Sequence, residues 1–379
     1  MLQARNPEKV YLSRIEERQV KRLDRLERLT NRATVTLAVA AVALGAYWSD
    51  VNVHEQVEAN ASSHINVLNG PLDKTNDDSS LIFFDGFGSY DANGLTRDLD
   101  PAARQLIDGS EGSVSYANAP LSPEIISQQT IDLAKQHGWD KISIVGYSTG
   151  GLIGSEVAAD IVEHSTLQLE AMYLISTPNG TGGLRAARAD EMKVADIVAH
   201  IPGAQYSSLV RFIGEVYSRR DQFIHTHTVD PGDLWDTVGN VIHDMNNKNL
   251  PGTWLLIDQT LAIAHTDMKD NLDTIGKSDA THRKPIIIYL GTAKPGYDYM
   301  VNNQKSSKEI CLDAKHAGLP CFVYNVPGAV HTRPDLSIKA YEKTIKDALP
   351  TLQAALANQA MTYSIVNEKI VTRVSGVSG

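Results

Sequence analysis

Two hydrophobic rhythms alternate along most of this chain. Short, almost wholly apolar runs read as buried strands: "LIFFD" (81–85), "KISIVG" (141–146), "LEAMYLIST" (169–177), "KPIIIYLGT" (284–292) and "CFVYNVPG" (321–328). "SVSYANA" (113–119) alternates and reads as a further strand, and "HINVL" (64–68) as a weak one. Between them lie segments with helical spacing. The clearest begins at Ser122, a good N-cap, with Pro123 at the first helical position and Glu124 in the first turn; its apolar face carries Ile125, Ile126, Ile131, Leu133 and Ala134, and Gly138 stops it. Helices are also predicted from Thr149 to Glu163 and from Asp335 to Leu349. Strands apolar on both faces, alternating with helices, indicate a mostly parallel, doubly wound sheet covered on both sides.

The rhythm breaks between Asn179 and Arg283, where two strands are separated by far more than the few residues or single helix of an ordinary α/β connection. "ADEMKVADIVAHI", "YSSLVRFIGEVYSRR" and "GTWLLIDQTLAIAHTDMKDNL" show helical spacing there, so this is read as a helical insertion. The other irregularity is N-terminal. Residues 1–32 carry nine Lys/Arg against five acids, and 33–48, "ATVTLAVAAVALGAYW", carry no charge. That segment is short of the roughly twenty residues of a full span. It is read as a signal anchor, as a cleaved signal peptide (the small residues of "ALGA" permit cleavage), or as a buried helix. The expected organisation is a basic cytoplasmic helix (1–32), an anchor or signal segment (33–48), a polar tether (49–80), a first core segment (81–178), a helical lid (179–283), a second core segment (284–352) and a C-terminal tail (353–379). On the anchor reading the protein crosses the cell membrane once with everything after Trp48 exported; on the cleaved reading it is secreted.

A formal net charge of −10 over 379 residues argues against a general nucleic-acid partner. The two cysteines, Cys311 and Cys321, allow a disulfide across a short loop in an exported domain, or two buried thiols. No HExxH and no Cys/His ligand spacing appears, so no metal is expected.

The chemistry concentrates in "KISIVGYSTGG" (141–151). A buried strand running through Gly-x-Ser-x-Gly into a helix forces Ser148 into a strained turn that lifts its hydroxyl clear, with Gly146 and Gly150 leaving room for neighbouring backbone. A serine needs a base and an orienting group to attack a carbonyl. With its strand before and helix after, this elbow resembles that of the α/β-hydrolase superfamily, and the resemblance covers roughly Leu81 to Leu349. It implies an α/β-hydrolase fold with a helical lid insertion, here preceded by an N-terminal membrane-anchor helix. "FFDGFGS" (83–89) is similar to the family's loop that donates to the oxyanion; mapped onto this chain, the donors are the N–H groups of Phe87 and Thr149. Asp85 stands where the family often has His, and a carboxylate there should turn away or be neutralised. His331, in "NVPGAVHTRPD" after the last strand, occupies the place of the family's histidine. Asp298, in "YLGTAKPGYDYMV", occupies that of its acid, in a loop longer than usual. The implied activity is that of a membrane-anchored, exported serine hydrolase acting on a small-molecule or lipid ester, without a cofactor. An acyltransferase with the same triad and a non-catalytic surface binding protein of this fold are the alternatives.

Overall fold

The computed structural model describes residues 62–375, apart from 226–227, 246–250, 278–281 and 332, together with Ala38, Val39, Ala41, Val42 and Gly45. The chain forms two compact units. One contains residues 53–207 and 247–379, the other residues 1–52 and 208–246.

In chain order the elements are β1 (His64–Val67), β2 (Ser79–Phe84), α1 (Asn93–Ala103), β3 (Ser110–Ser115), α2 (Pro123–His137), β4 (Lys141–Tyr147), α3 (Thr149–His164), β5 (Gln168–Ile175), α4 (Ala186–Ala199), α5 (Ser208–Ser218), β6 (Ile224–His225), β7 (Thr228–Val229), α6 (Pro231–Met245), α7 (Thr253–His265), α8 (Met268–Lys277), β8 (Ile286–Thr292), α9 (Asn303–His316), β9 (Cys321–Val326) and α10 (Ile338–Ser375). The larger unit is built on a seven-stranded sheet of order β1-β3-β2-β4-β5-β8-β9. In that sheet only β1 is antiparallel, paired with β3 at the edge.

The near-continuous apolar runs follow from burial on both faces. Successive side chains point to opposite sides of a strand. Ile82, Phe84, Ile142, Ile144, Met172, Leu174, Ile287 and Tyr289 therefore pack into one core layer with residues of α2, α3, α7, α8 and α9. Leu81, Phe83, Val145, Tyr173, Ile175, Ile286, Ile288 and Leu290 pack into the other, with residues of α1 and α10. The start of α2 has the expected cap: Ser122 Oγ accepts the N–H of Ile125, and Gly138 ends the helix at φ 75°.

Several boundaries differ from the sequence reading. His64–Val67, read as a weak strand within the tether, is a strand and pairs with β3 in the sheet. Helix α1 lies in a segment to which the sequence reading assigned no element; it holds Gly94 and Pro101, residues of low helix propensity, yet its Leu95, Leu99 and Ala102 form a buried face. Residues 353–375, read as an unplaced tail, continue α10 beyond Pro350. The insertion is not one body. Helices α4, α7 and α8 lie in the larger unit, where Met192, Leu255, Ile263, Met268, Leu272 and Ile275 join the first core layer. Only 208–246 falls in the smaller unit, whose own cluster is Phe212, Val238, Val241 and Met245, with Val39 and Val42 packed against it. Most of segment 33–48, on which the anchor expectation rests, lies outside the described residues. Among the described residues no helix is long and apolar enough to cross a membrane.

Cys311 and Cys321 are disulfide-bonded, with Cα atoms 5.4 Å apart, tying α9 to the first residue of β9. The ring closes over a separation of ten residues, so chain entropy alone gives it about 2.5 kcal/mol of stabilisation. Replacing both cysteines by serine should lower the unfolding free energy by roughly that amount in urea titrations of the oxidised protein; an unchanged midpoint would refute a stabilising role.

Candidate active site

β4 lies in the middle of the sheet, between β2 and β5. A single residue, Ser148, connects it to α3, and it sits at φ 52°, ψ −124°, a conformation that side-chain-bearing residues rarely adopt. The turn is clamped from both sides. The Ser148 N–H donates to the Ile175 carbonyl at 2.8 Å, and its carbonyl accepts from the Gly151 N–H at 3.0 Å. A Cβ on Gly146 would stand 2.4 Å from the Gly151 Cα, and one on Gly150 only 2.2 Å from the Phe84 carbonyl oxygen. Strand and helix can therefore meet this closely only through glycine at both positions.

Two loops at the carboxyl ends of β8 and β9 bring Asp298 and His331 to this turn, the edge of a parallel sheet where functional groups gather. His331 Nε2 is 3.0 Å from Ser148 Oγ, and His331 Nδ1 is 2.9 Å from Asp298 Oδ2. A carboxylate at Nδ1 keeps the proton there, which leaves the Nε2 lone pair facing the serine hydroxyl. The histidine is anchored at its backbone: its N–H donates to the Tyr297 carbonyl, and the Tyr147 hydroxyl donates to the His331 carbonyl.

Asp298 is fully buried. Its Oδ1 accepts the N–H groups of Met300 and Val301 at 3.0 and 2.7 Å, and its Oδ2 accepts from the Asn303 side-chain amide besides His331. Burial alone would raise its pKa. The His331 hydrogen bond and charge, the Val301 N–H and the Asn303 amide outweigh that and hold it below the ordinary carboxylate value. Asn303 is itself fixed, accepting from the Tyr289 hydroxyl at 2.9 Å. The other acids near in sequence lie elsewhere: Asp335 forms a two-point pair with Arg333, and Asp313 faces Lys269.

The loop after β2 runs directly against the serine. A Cβ on Gly86 would be 2.9 Å from the Ser148 Cβ. On either side of Phe87 the backbone is tied down. The Gly86 N–H donates to the Asp85 carboxylate at 2.7 Å, and the Gly88 N–H donates to Gln259 Oε1 at 2.9 Å. Gln259 Nε2 in turn donates to the Ser89 carbonyl at 3.1 Å, and the residue is fully buried on α7. Thr149 opens α3, so its N–H has no acceptor within the helix. Gln259, Asn303 and Tyr147 were not singled out in the sequence. Asn303 had a faint signal, a position just after Asp298 at a helix start; Gln259 had none, since its role depends on where the insertion folds back.

Asp85 answers the concern raised by its place in this loop. Its carboxyl turns back onto the Gly86 N–H and Ser89, and burial, only partly offset by those hydrogen bonds, pushes its pKa to about 6.

No family model matches the sequence, and neither does any curated protein. Solved structures resemble it in outline. A carboxylesterase of the thaumarchaeon Nitrososphaera gargenis is 12% identical, with a TM-score of 0.45 over 78% of this chain and 95% of that one. The α/β hydrolase MGS-M2 from a Medee basin deep-sea metagenome library is 13% identical, with a TM-score of 0.46 over 75% and 93%. The enol-lactonase of Burkholderia xenovorans LB400 is 13% identical, with a TM-score of 0.45 over 76% and 96%. By its own sheet order, its one-residue elbow after a central strand and its loops at the carboxyl edge, the chain has the α/β-hydrolase fold.

The raised pKa of Asp85 sets a direction for stability. The folded state holds this proton more tightly than the unfolded chain, so the contribution is full below pH 4 and is lost as pH rises through about 6. Asp85→Asn keeps an acceptor for Gly86 and removes the cost of ionisation. It should stabilise the protein at pH 7.5 by roughly 1–3 kcal/mol and flatten the pH 4–6 slope in urea unfolding. An identical slope in the variant would show that Asp85 is not its source.

Proposed function

We propose that the protein is a serine hydrolase that cleaves carboxylic esters through an acyl-enzyme. The observation that carries this reading is the continuous hydrogen-bonded array Ser148–His331–Asp298, ending on a serine held in a strained elbow beside a glycine loop. In this mechanism His331 Nε2 takes the Ser148 proton as Oγ attacks the acyl carbonyl, while ionised Asp298 stabilises the imidazolium through Nδ1. The N–H groups of Phe87 and Thr149 receive the oxyanion. Gln259 and the Asp85 carboxylate fix the amides on either side of Phe87, so that this donor is oriented before the substrate arrives. His331 then returns the proton to the leaving alcohol, and water, deprotonated by the same imidazole, releases the acid.

Membrane attachment and export are included in the proposal. They rest on the uncharged segment 33–48 behind a basic flank, and the Cys311–Cys321 disulfide favours an oxidising compartment. A lipid or long-chain ester is the substrate class this attachment would bring within reach.

Ser148→Ala should reduce hydrolysis of p-nitrophenyl butyrate by at least about 10⁴-fold with an unchanged far-UV spectrum, and it should abolish labelling by a fluorophosphonate probe. Full turnover in the variant would refute the assignment, and an unlabelled parent protein would favour a non-catalytic binding role. Gln259→Met, similar in volume but unable to bond Gly88 or Ser89, should lower kcat by roughly tenfold or more with KM changed little, since it loosens a transition-state donor. A rise in KM alone would place Gln259 in substrate binding instead.

A further inference from the structure

Away from the elbow, the ends of α4 and α7 bring together three metal-ligating side chains that the mechanism does not use. Asp196 lies in the last turn of α4 and His200 caps that helix, four residues on, so the two share a helix face. His265 is the final residue of α7 and reaches the same spot from 69 positions further along the chain. His265 Nε2 is 2.8 Å from Asp196 Oδ1, and His200 Nδ1 is 3.5 Å from that same oxygen. The two imidazoles meet edge-on, with centroids 5.7 Å apart. One donor atom from each of the three residues lies within 4.8 Å of the others. His200 Nδ1 also contacts the Asp196 carbonyl at 2.8 Å, which limits the ring's orientation.

We propose that Asp196, His200 and His265 bind a divalent transition-metal ion of the Zn²⁺ class. The donor set is two imidazole nitrogens and one carboxylate oxygen, suited to Zn²⁺ and its neighbours and poor for Ca²⁺ or Mg²⁺, which take mostly oxygen ligands. Bond lengths of about 2.0–2.2 Å place tetrahedral donors roughly 3.3 Å apart. The two contacts to Asp196 Oδ1, 2.8 and 3.5 Å, bracket that figure; both imidazoles are exposed, and His200 can reorient by giving up its contact with the Asp196 carbonyl. Two helix C-termini converge here, and their partial negative charge favours a cation. A His265–Asp196 ion pair and the His200 Nδ1 contact with the Asp196 carbonyl account for the two imidazoles separately; a shared ion accounts for both standing beside one carboxylate. With three protein ligands, one position is left for water. The bound ion would link the end of α4 to the helix that carries Gln259.

The test is titration of the full chain, without a histidine tag, with Zn²⁺ by calorimetry and with Co²⁺ by visible absorption. One ion per chain is expected, with d–d bands of a low-coordinate site, and the thermal midpoint should rise with Zn²⁺. His200→Ala and His265→Ala should each weaken binding at least about tenfold, since losing a ligand should cost no less than losing a partner that supports one. Both should retain ester hydrolysis, which reports that they fold; His265→Gln serves if the alanine variant does not. Absence of Zn²⁺ binding at millimolar concentration, affinity unchanged in both variants, or Ca²⁺ competing equally would each overturn the proposal.

Discussion

The site depends on a one-residue turn that the backbone would not choose for itself. Ser148 at φ 52° costs on the order of 1–3 kcal/mol relative to an ordinary conformation. It persists because its neighbours determine it from every side. Its N–H is bonded to β5, the glycine two residues before it admits the backbone of α3, and the glycine two residues after it admits the carbonyl of Phe84 at the end of β2. β4 and α3 are in turn held by side chains of the first core layer, among them Ile142, Ile144, Leu152, Ile153 and Val157. The hydroxyl's position is thus fixed by packing across the sheet, and the loops after β2, β8 and β9 need only reach it.

Two aspartates beside this turn, Asp298 buried and Asp85 half-buried, show how environment separates groups of identical chemistry. Both are desolvated, which disfavours the charged form. Asp298 gathers two backbone N–H groups, an amide and an imidazole, and its pKa is held below the ordinary carboxylate value. Asp85 gathers the Gly86 N–H and the Ser89 side chain while Asp91 and Asp98 add repulsion, and it takes up a proton near pH 6. On the proposed mechanism, the carboxylate that steadies a positive imidazole is the one kept negative, and the one in the loop beside the oxyanion is turned into its own backbone.

What the sequence revealed depended on how local each determinant is. The elbow was legible because strand, glycines, serine and helix are contiguous, and each glycine has a steric reason within the strand–turn–helix unit or the strand beside it. Asp298 and His331 were named through the family resemblance, which sets them after two strands that the apolar pattern marks plainly. Gln259 could not, since it grips Gly88 and Ser89 from 170 positions away on a helix whose docking no local pattern encodes. Helix α1 holds Gly94 and Pro101, whose low helix propensity is overridden by the burial of Leu95 and Leu99. The extent of α10 was hidden by a weakly patterned tail, and the helix runs on through Pro350. The insertion looked uniform because its helices share one amphipathic pattern. Which of them join the main core is a tertiary fact.

That last fact constrains how the site can open. Leu255 and Ile263 of α7 are buried with the sheet's own side chains in the first layer. Exposing each would cost roughly 1.5–3 kcal/mol, and withdrawing Gln259 would break its bonds to the Gly88 N–H and the Ser89 carbonyl in a half-buried loop. Asp258 adds a further tie, accepting the Leu121 N–H at 2.6 Å. A helix anchored at these points behaves as a fixed brace. It holds the Gly86–Ser89 loop in one geometry; on the proposed function, any motion that admits substrate must come from segments that carry fewer buried contacts than α7 does.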